Sequence, residues 1–337
     1  MGLLAKDFMI NFPKLFVGPM SKNIVDSILS LDKCYLQNIG FIPSRRQIEY
    51  NGGYVNNWTT EEFFNYVDSR IIIERDHGGP HQGYILDEGK KSLLEDSKYM
   101  DIIHVDVWKK YKNLEEGCFA TKNIIQYINK KNKNCLFEIA TEQSIRKFEC
   151  DELDYLVNYL RQNLKKEVYE KIVYLVIQSG TSLKENKNTG IYDSGRLKSM
   201  IDICKKNNLL SKEHNGDYLG KLIKDKFTLG LDCINIAPEF GLLETNIILD
   251  IIKENDDKLF YDEFYKICYK SKRWVKWVNS DFIPENKKEE LIKICGHYVF
   301  SNIKFLELKS KYMDLDIKIQ EIVKNRVIEI VNDIYKC

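Results

Sequence analysis

Short apolar runs alternate with longer amphipathic stretches along most of the chain, and the alternation repeats eight times. The runs are LFVGP (15–19), IGFIP (39–43), RIIIERD (70–76), DIIHVDVW (101–108), CLFEIAT (135–141), IVYLVIQSG (172–180), LLSKEH (209–214) and LDCINIA (231–237). Each is bounded by polar or turn-forming residues, which predicts a buried strand emptying into a loop. After each comes a stretch with apolar positions at helical spacing. Ser21 is placed to cap the first, whose Ile24, Ile28 and Leu31 share a face, and Thr59 or Thr60 to cap the second, with Glu62 in its first turn. Further helices are expected over roughly 87–98 and 119–131, then in DELDYLVNYLRQNL, DSGRLKSMIDICKKN, YLGKLIKDKF and FGLLETNIILDIIKEN.

Near-continuous apolar strands alternating with helices argue for a parallel sheet covered by helices. Eight such units in about 250 residues fit a (β/α)₈ TIM barrel. An open doubly wound sheet is the structural alternative. The alternation stops near residue 254, so residues 1–254 read as the barrel and 255–337 as a C-terminal helical extension. That extension carries two aromatic clusters, Phe260, Tyr261, Phe264 and Tyr265, and then Trp274 and Trp277.

Composition narrows the class. Lys and Arg number 51 against 50 Asp and Glu, so no basic field points to nucleic acid. Nine cysteines stand singly, with no Cys-x-x-Cys pair, which reads as reduced thiols rather than a disulfide or zinc framework. No apolar run approaches the ~20 residues of a membrane span, and MGLLAKDFMINFPK is too short and interrupted for a signal peptide. A cytoplasmic protein is expected. The abundance of Lys, Asn and Ile suggests an AT-rich bacterial genome.

In a barrel, chemistry gathers at the C-terminal ends of the strands. Those ends hold Ser44, Arg45, Arg46 and Gln47, then Asp76 and His77, then His104 and Asp106, then Thr141 and Glu142. They continue with Gln178, Gly180 and Thr181, then Glu213, His214, Asn215 and Asp217, and finally Asn235. His81 lies just beyond the third strand. Neighbours in a strand point to opposite faces, so Asp76 and His77 can serve one ligand only where the strand bends, at Gly78-Gly79-Pro80. Two imidazoles and a carboxylate converging from different strands suit Zn²⁺ or a similar divalent ion. His104 sits inside an apolar run, reads as a core histidine and is left out of this set. Glu142 could equally cap the next helix. Arg45 and Arg46 suit a phosphate, or a solvated loop face.

The ordered set of these segments resembles the companion, so-called non-catalytic, subunit of tagatose-1,6-bisphosphate aldolase, within the class II aldolase group. FIPSRRQIEYNGGY (41–54) looks like that family's Ser-Asn-Gln…Phe-Gly-Gly-Tyr, and RDHGGP (75–80) like its Gly-Asp-His-Leu-Gly-Pro. IHVD (103–106), ATE (140–142), LVIQSG (175–180) and KEHNGDY (212–218) are similar to its Ile-His-Leu-Asp, Gly-Thr-Glu, Val-Val-Gln-Pro-Gly and Glu-Ala-His-Ser-Thr-Asp-Tyr. WVKW (274–277) and FSNIKF (300–305) sit where the family has Trp-Lys-Lys-Tyr and Ser-Asp-Arg-Ile-Arg-Tyr-Tyr.

The resemblance implies a metal-dependent barrel acting on phosphorylated ketoses. Asp76 maps to the proton-transfer acid/base, His77 and His214 to metal-binding histidines, and Glu142 to a metal-site carboxylate. Where true aldolases have a third histidine, this chain has Gln178, a weaker ligand. INIAPE resembles the true aldolases' Asn-Val-Ala-Thr-Glu, which places Asn235 at the substrate. The other rim residues, Ser44, Arg45, Arg46, Gln47, His81, Gly180, Thr181 and Asn215, are expected around the substrate and its phosphate. The family's C-terminal arginines are replaced by Ile303 and Lys304, and ATEQSIRKF lacks its Pro-Gly-Gly stretch, which implies a different substrate. The leading expectation is a Zn²⁺-type sugar-phosphate aldolase using dihydroxyacetone phosphate or a related ketone. A C4-epimerase working by retro-aldol and aldol steps is the alternative, and a silent subunit of an aldolase complex is the third reading. The chain is expected as a homo-oligomer or beside a partner aldolase subunit.

Overall fold

The computed structural model describes residues 12–68, 70–139, 147–184 and 187–335. All eight expected runs become strands: β1 (Leu15–Val17), β2 (Ile39–Phe41), β3 (Ile72–Gly78), β4 (Ile102–Val105), β5 (Leu136–Ile139), β6 (Ile172–Ile177), β7 (Leu210–Glu213) and β8 (Cys233–Ile236). Each pairs in parallel with its sequence neighbours, and β1 pairs with β8, closing a barrel. The open-sheet alternative is thereby excluded.

The helices of the ring follow their strands: α1 (Lys22–Leu29), α2 (Thr60–Val67), α3 (Lys90–Tyr99), α4 (Leu114–Lys131), α5 (Cys150–Asn163), α6 (Ser194–Lys206), α7 (Leu222–Thr228) and α8 (Pro238–Glu254). Ser21 caps α1 by accepting from the Ile24 N–H. Thr59, not Thr60, caps α2, in a reciprocal capping box with Glu62. Helix α4 starts earlier than its apolar periodicity suggests, because the Asn113 side chain accepts from the N–H groups of Glu115 and Glu116.

Inside the barrel, side chains at every second position of a strand form layers. Ile72, Ile102, Leu136, Tyr174 and Leu210 pack at the base with Phe16 and Cys233. One step up come Glu74, Glu138 and Lys212, all fully buried. The next step places Asp76 and His214 at the mouth.

Strand β3 departs from this alternation where function needs it. Its pairing with β4 slips between Arg75 and Gly78, and His77 adopts a left-handed φ of 49°. The slip is how Asp76 and the adjacent His77 both reach the barrel mouth. Gly79, at φ 156°, follows; a Cβ there would collide with the Asp106 carbonyl oxygen, so glycine lets the bend lie against β4. On the outer face, Arg75 locks β3 in place. It pairs with Asp96 on α3 at 2.6 Å and donates to the carbonyls of Pro43 and Ile48, both at 2.9 Å.

Beyond α8 the described chain is helical: α9 (Lys258–Ser271), α10 (Lys288–Cys295), α11 (Ile303–Lys309) and α12 (Leu315–Tyr335), with two short 3₁₀ turns. Helix α12 packs against α1, α7 and α8 and so fills the ring where β8 meets β1. Asn23 ties it down, donating to Asp316 at 2.7 Å and to Glu244 at 2.8 Å. The rest of this segment leans over the mouth. Ser301 donates to the Tyr54 carbonyl and accepts from the Asn56 N–H, both at 2.8 Å. Among the described residues, no helix is long and apolar enough to cross a membrane, and the eight described cysteines are free thiols.

Candidate metal centre and active site

Three imidazoles meet at the mouth. The ring centroids of His77, His104 and His214 lie 4.9–5.4 Å apart. Asp76 stands among them, its Oδ1 at 3.5 Å from His77 Nε2, 3.5 Å from His104 Nδ1 and 3.7 Å from His214 Nδ1. Glu138 approaches from β5, with Oε1 at 2.9 Å from His214 Nε2 and 3.3 Å from His104 Nδ1.

Each group is held from behind. Asp106 Oδ2 lies 2.7 Å from His77 Nδ1, which leaves Nε2 facing Asp76. Asp106 in turn accepts from the Trp108 N–H at 3.0 Å and from the Gln82 amide at 2.6 Å. A carboxylate behind a ring nitrogen is the usual support of a metal-ligating histidine. Below, Lys212 pairs with Glu138 at 2.8 Å and with Glu74, and its ammonium lies 3.9 Å from the Phe16 ring centre.

Burial alone would raise the Asp76 carboxyl, but the charge of His77, the nearby His104 ring and the charge of His214 hold it well below its ordinary range. Glu138 behaves alike: burial opposes its ionisation, and Lys212, then His104 and His214, overcome that. Glu74 goes the other way, pushed well up by burial and by the charge of Glu138. The interior layer therefore sets one cation against two carboxyl groups of opposite tendency, Glu138 toward its ionised form and Glu74 toward its protonated one.

The donor set fits a divalent cation. Asp76, His77 and His104, and likewise His104, Glu138 and His214, bring ligand atoms within 4.8 Å of one another. Asp76 Oδ1 and His104 Nε2 are buried without a hydrogen-bond partner. Nitrogen and carboxylate donors with unsatisfied atoms in one cluster suit Zn²⁺ or a similar ion.

A cavity of about 310 Å³ opens above this cluster. Of the expected site residues, Asp76, His77, His214, Ser44, Arg46, Gln47, Asn215 and Asn235 line it. Asn235 Oδ1 is buried there without a partner. Others are placed elsewhere. Arg45, expected at a phosphate, lies buried on the far side of its loop, bidentate to Asp87 at 2.8 and 2.9 Å and bonded to Glu49 at 2.7 Å. Gln178, expected as a metal ligand, accepts instead from the Phe148 N–H at 3.0 Å through its amide oxygen. Gly180, at φ 92°, serves a tight turn against Ile191, and Thr181 is buried beside it; neither lines the cavity. His81, at φ 61°, belongs to a turn closed by its N–H on the Asp87 carbonyl and is likewise off the wall. Thr141 and Glu142 lie outside the described residues.

To the expected site the structure adds His104, read from the sequence as core, as the third imidazole, and Asp106, named there only as a strand-end residue, behind His77; Glu138, Glu74 and Lys212 are not singled out there. It also brings Lys276, Trp277, His297 and Tyr298 of the C-terminal segment onto the wall. Asp217, also on the wall, shows how a buried carboxylate shapes the rim. Its Oδ1 accepts from the N–H groups of Ala237 and Glu239, at 3.0 and 2.7 Å. Burial pushes its pKa up to about 7, the two N–H bonds opposing and the Glu239 charge assisting. A raised carboxyl pKa favours the folded state below the unfolded value of about 3.9 and loses that contribution as pH climbs through the folded value. Asp217→Asn keeps the accepting Oδ1 and should remove this fall in stability between about pH 4 and 7. Urea midpoints at pH 5 and pH 8 measure it; an unchanged difference between them rejects this account of Asp217.

A closed parallel barrel with its charged groups at the C-terminal mouth is a (β/α)₈ TIM barrel, and this chain has that fold. The chain superposes on a probable tagatose 6-phosphate kinase from Sinorhizobium meliloti 1021 with a TM-score of 0.74 at 13% identity, over 96% of this chain and 99% of that one. The YdjI aldolase of Escherichia coli K12 matches at 0.60 and 12% identity, over 99% and 94% of the two chains. The fructuronate-tagaturonate epimerase UxaE of Cohnella laeviribosi matches at 0.63 and 10%, over 98% and 85%. No family model and no curated protein matches the sequence.

Proposed function

We propose that the protein is a metal-dependent aldolase that makes or splits the C–C bond of a ketose phosphate. The observation that carries this reading is the Asp76 carboxylate, set within 3.7 Å of three imidazoles at the floor of a cavity. His77, His104 and His214, with Glu138, would hold the cation. Bound there, a divalent ion supplies Lewis-acid stabilisation of negative charge on a substrate carbonyl oxygen.

The chain's own groups do the rest. Asp76, held ionised, takes the proton from the hydroxyl on the carbon β to the carbonyl as the C–C bond breaks, and returns it in the reverse direction. Asp106 fixes the ring of His77. Glu138, kept anionic by Lys212, orients His214. Asn235 offers an unsatisfied amide oxygen to a substrate hydroxyl. Ser44, Gln47 and Asn215 surround the substrate chain.

A C4-epimerase is the second reading, favoured by the fold-level likeness to the fructuronate-tagaturonate epimerase. It uses the same residues, with the released aldehyde turned before the bond re-forms. The test is metal analysis of the purified protein, then a screen of ketose phosphates for triose release or exchange of C4 configuration. The expected result is one divalent ion per chain, activity lost on chelation and restored by Zn²⁺ or a related ion. Protein without stoichiometric metal, and with no turnover of any ketose phosphate, would instead support the silent-subunit reading.

A further inference from the structure

The cavity wall opposite in chemistry to the Asp76 cluster is cationic. Arg46 comes from the loop after β2, Lys109 from the loop after β4, and Lys276 from the C-terminal segment; all three line the cavity. Arg273 stands beside them. Its guanidinium lies 3.8 Å from the Tyr84 ring centre, and that of Arg46 lies 5.8 Å from the same ring. Lys276 packs on Trp277 at 4.1 Å. Among the described residues, no carboxylate pairs with Arg46, Arg273 or Lys276, whereas Arg45, Arg75 and Arg196 each have one. Arg46 Nε is buried without any hydrogen-bond partner.

Gathering like charges without a counter-charge is unfavourable, and a buried donor left unbonded adds to the cost. The strain registers on Lys276. Burial of its ammonium, then the charges of Arg46, Lys109 and Arg273, all pull its proton affinity down. Because the side chain stands at the solvent-exposed rim, water relieves part of this. An arriving anion would relieve the rest. Two guanidiniums present forked donors, and an ammonium adds a point charge, which together match an oxyanion carrying two charges better than a single carboxylate.

We infer that Arg46, Arg273 and Lys276, with Lys109 beside them, form a subsite for the phosphate at the non-reacting end of the substrate. Arg273 and Lys276 belong to the C-terminal segment, so that segment completes the substrate site rather than only covering the barrel. The naming of the occupant rests on the sugar-phosphate reading above; the subsite itself stands on Arg46 and Lys276 on the cavity wall and Arg273 sharing the Tyr84 ring with Arg46, none of them paired with a carboxylate among the described residues.

Titration calorimetry with inorganic phosphate tests it on the full-length protein. The expected result is saturable binding that weakens roughly tenfold or more in Lys276→Met and in Arg273→Met, as for loss of a charged hydrogen-bond donor. Two variants guard against misfolding of one, and circular dichroism checks both. Phosphate binding is read without turnover, so a failure of the catalytic reading leaves this result standing. Three outcomes overturn the subsite: no phosphate binding by the parent, binding unchanged in both cation variants (phosphate then sits elsewhere, as at the imidazoles), or D-glucuronate binding as tightly as phosphate.

Discussion

Replacing Asp76 by Asn is expected to lower kcat by roughly 10²–10⁴-fold, the usual worth of a positioned general acid/base. The amide is isosteric and keeps an acceptor oxygen, but it cannot take a proton. The loss should appear equally in kcat and kcat/KM, because the step removed occurs only in the transition state. The location of Asp76 argues for this more strongly than its identity. A carboxylate with Oδ1 3.5–3.7 Å from nitrogens of three histidines is either a ligand neighbour or a proton carrier. Metal content separates the two. If the Asp76→Asn variant retains its metal and turns over within about tenfold of the parent, Asp76 is not the acid/base. The ionised state of Asp76 also sets a sign: since its carboxyl is held below the ordinary range, its protonation should not produce an acid limb near about pH 4–5 in kcat/KM. An acid limb there would belong to another group.

The barrel was legible because parallel strands covered by helices must be apolar on both faces, and eight such runs stand out against amphipathic stretches. Asp76, His77 and His214 were legible as strand-end residues. His104 was set aside by the same rule that found the strands: an imidazole within IIHV looks like core, and buried it is, but its parity with Ile102 turns it into the barrel interior beside Asp76 rather than toward the helices. Glu138 and Lys212 carry the same signal. The columns Ile72–Glu74–Asp76, Leu136–Glu138 and Leu210–Lys212–His214 each step from apolar base to charge at intervals of two. Reading those columns together shows the polar floor of a site. What remained hidden was loop direction. Arg45 and Arg46 are adjacent, and nothing in SRRQ says that Arg45 turns back to Asp87 while Arg46 faces the cavity. Long-range contacts were equally hidden. No local pattern brings Lys276 beside Arg46, because that meeting depends on a tail folding over the mouth.

Lys212→Met is expected to destabilise the fold by about 3–5 kcal/mol, the cost of stranding a buried charge whose partner is removed. Methionine matches the lysine stem in length and can keep the packing on Phe16 and Tyr174, whose ring centres lie 3.9 and 4.7 Å from the ammonium. The loss is therefore electrostatic. It leaves the Glu138 carboxylate, fully buried, facing Glu74 with no cation between. Removing the second charge should recover much of it: Lys212→Met with Glu138→Gln is expected to be more stable than Lys212→Met alone, a coupling that a double-mutant cycle isolates. Urea unfolding with a constant m-value measures each term. Acid gives an independent check. Glu138 is held below its ordinary value, so its contribution exists above the unfolded pKa of about 4.3 and is lost as pH falls below it. Variants carrying Glu138→Gln should lose less stability than the parent on acidification. A Lys212→Met protein within about 1 kcal/mol of the parent would mean that Glu138 is neutral in the fold, and the same layer could not then hold His214 and a cation at the mouth by charge.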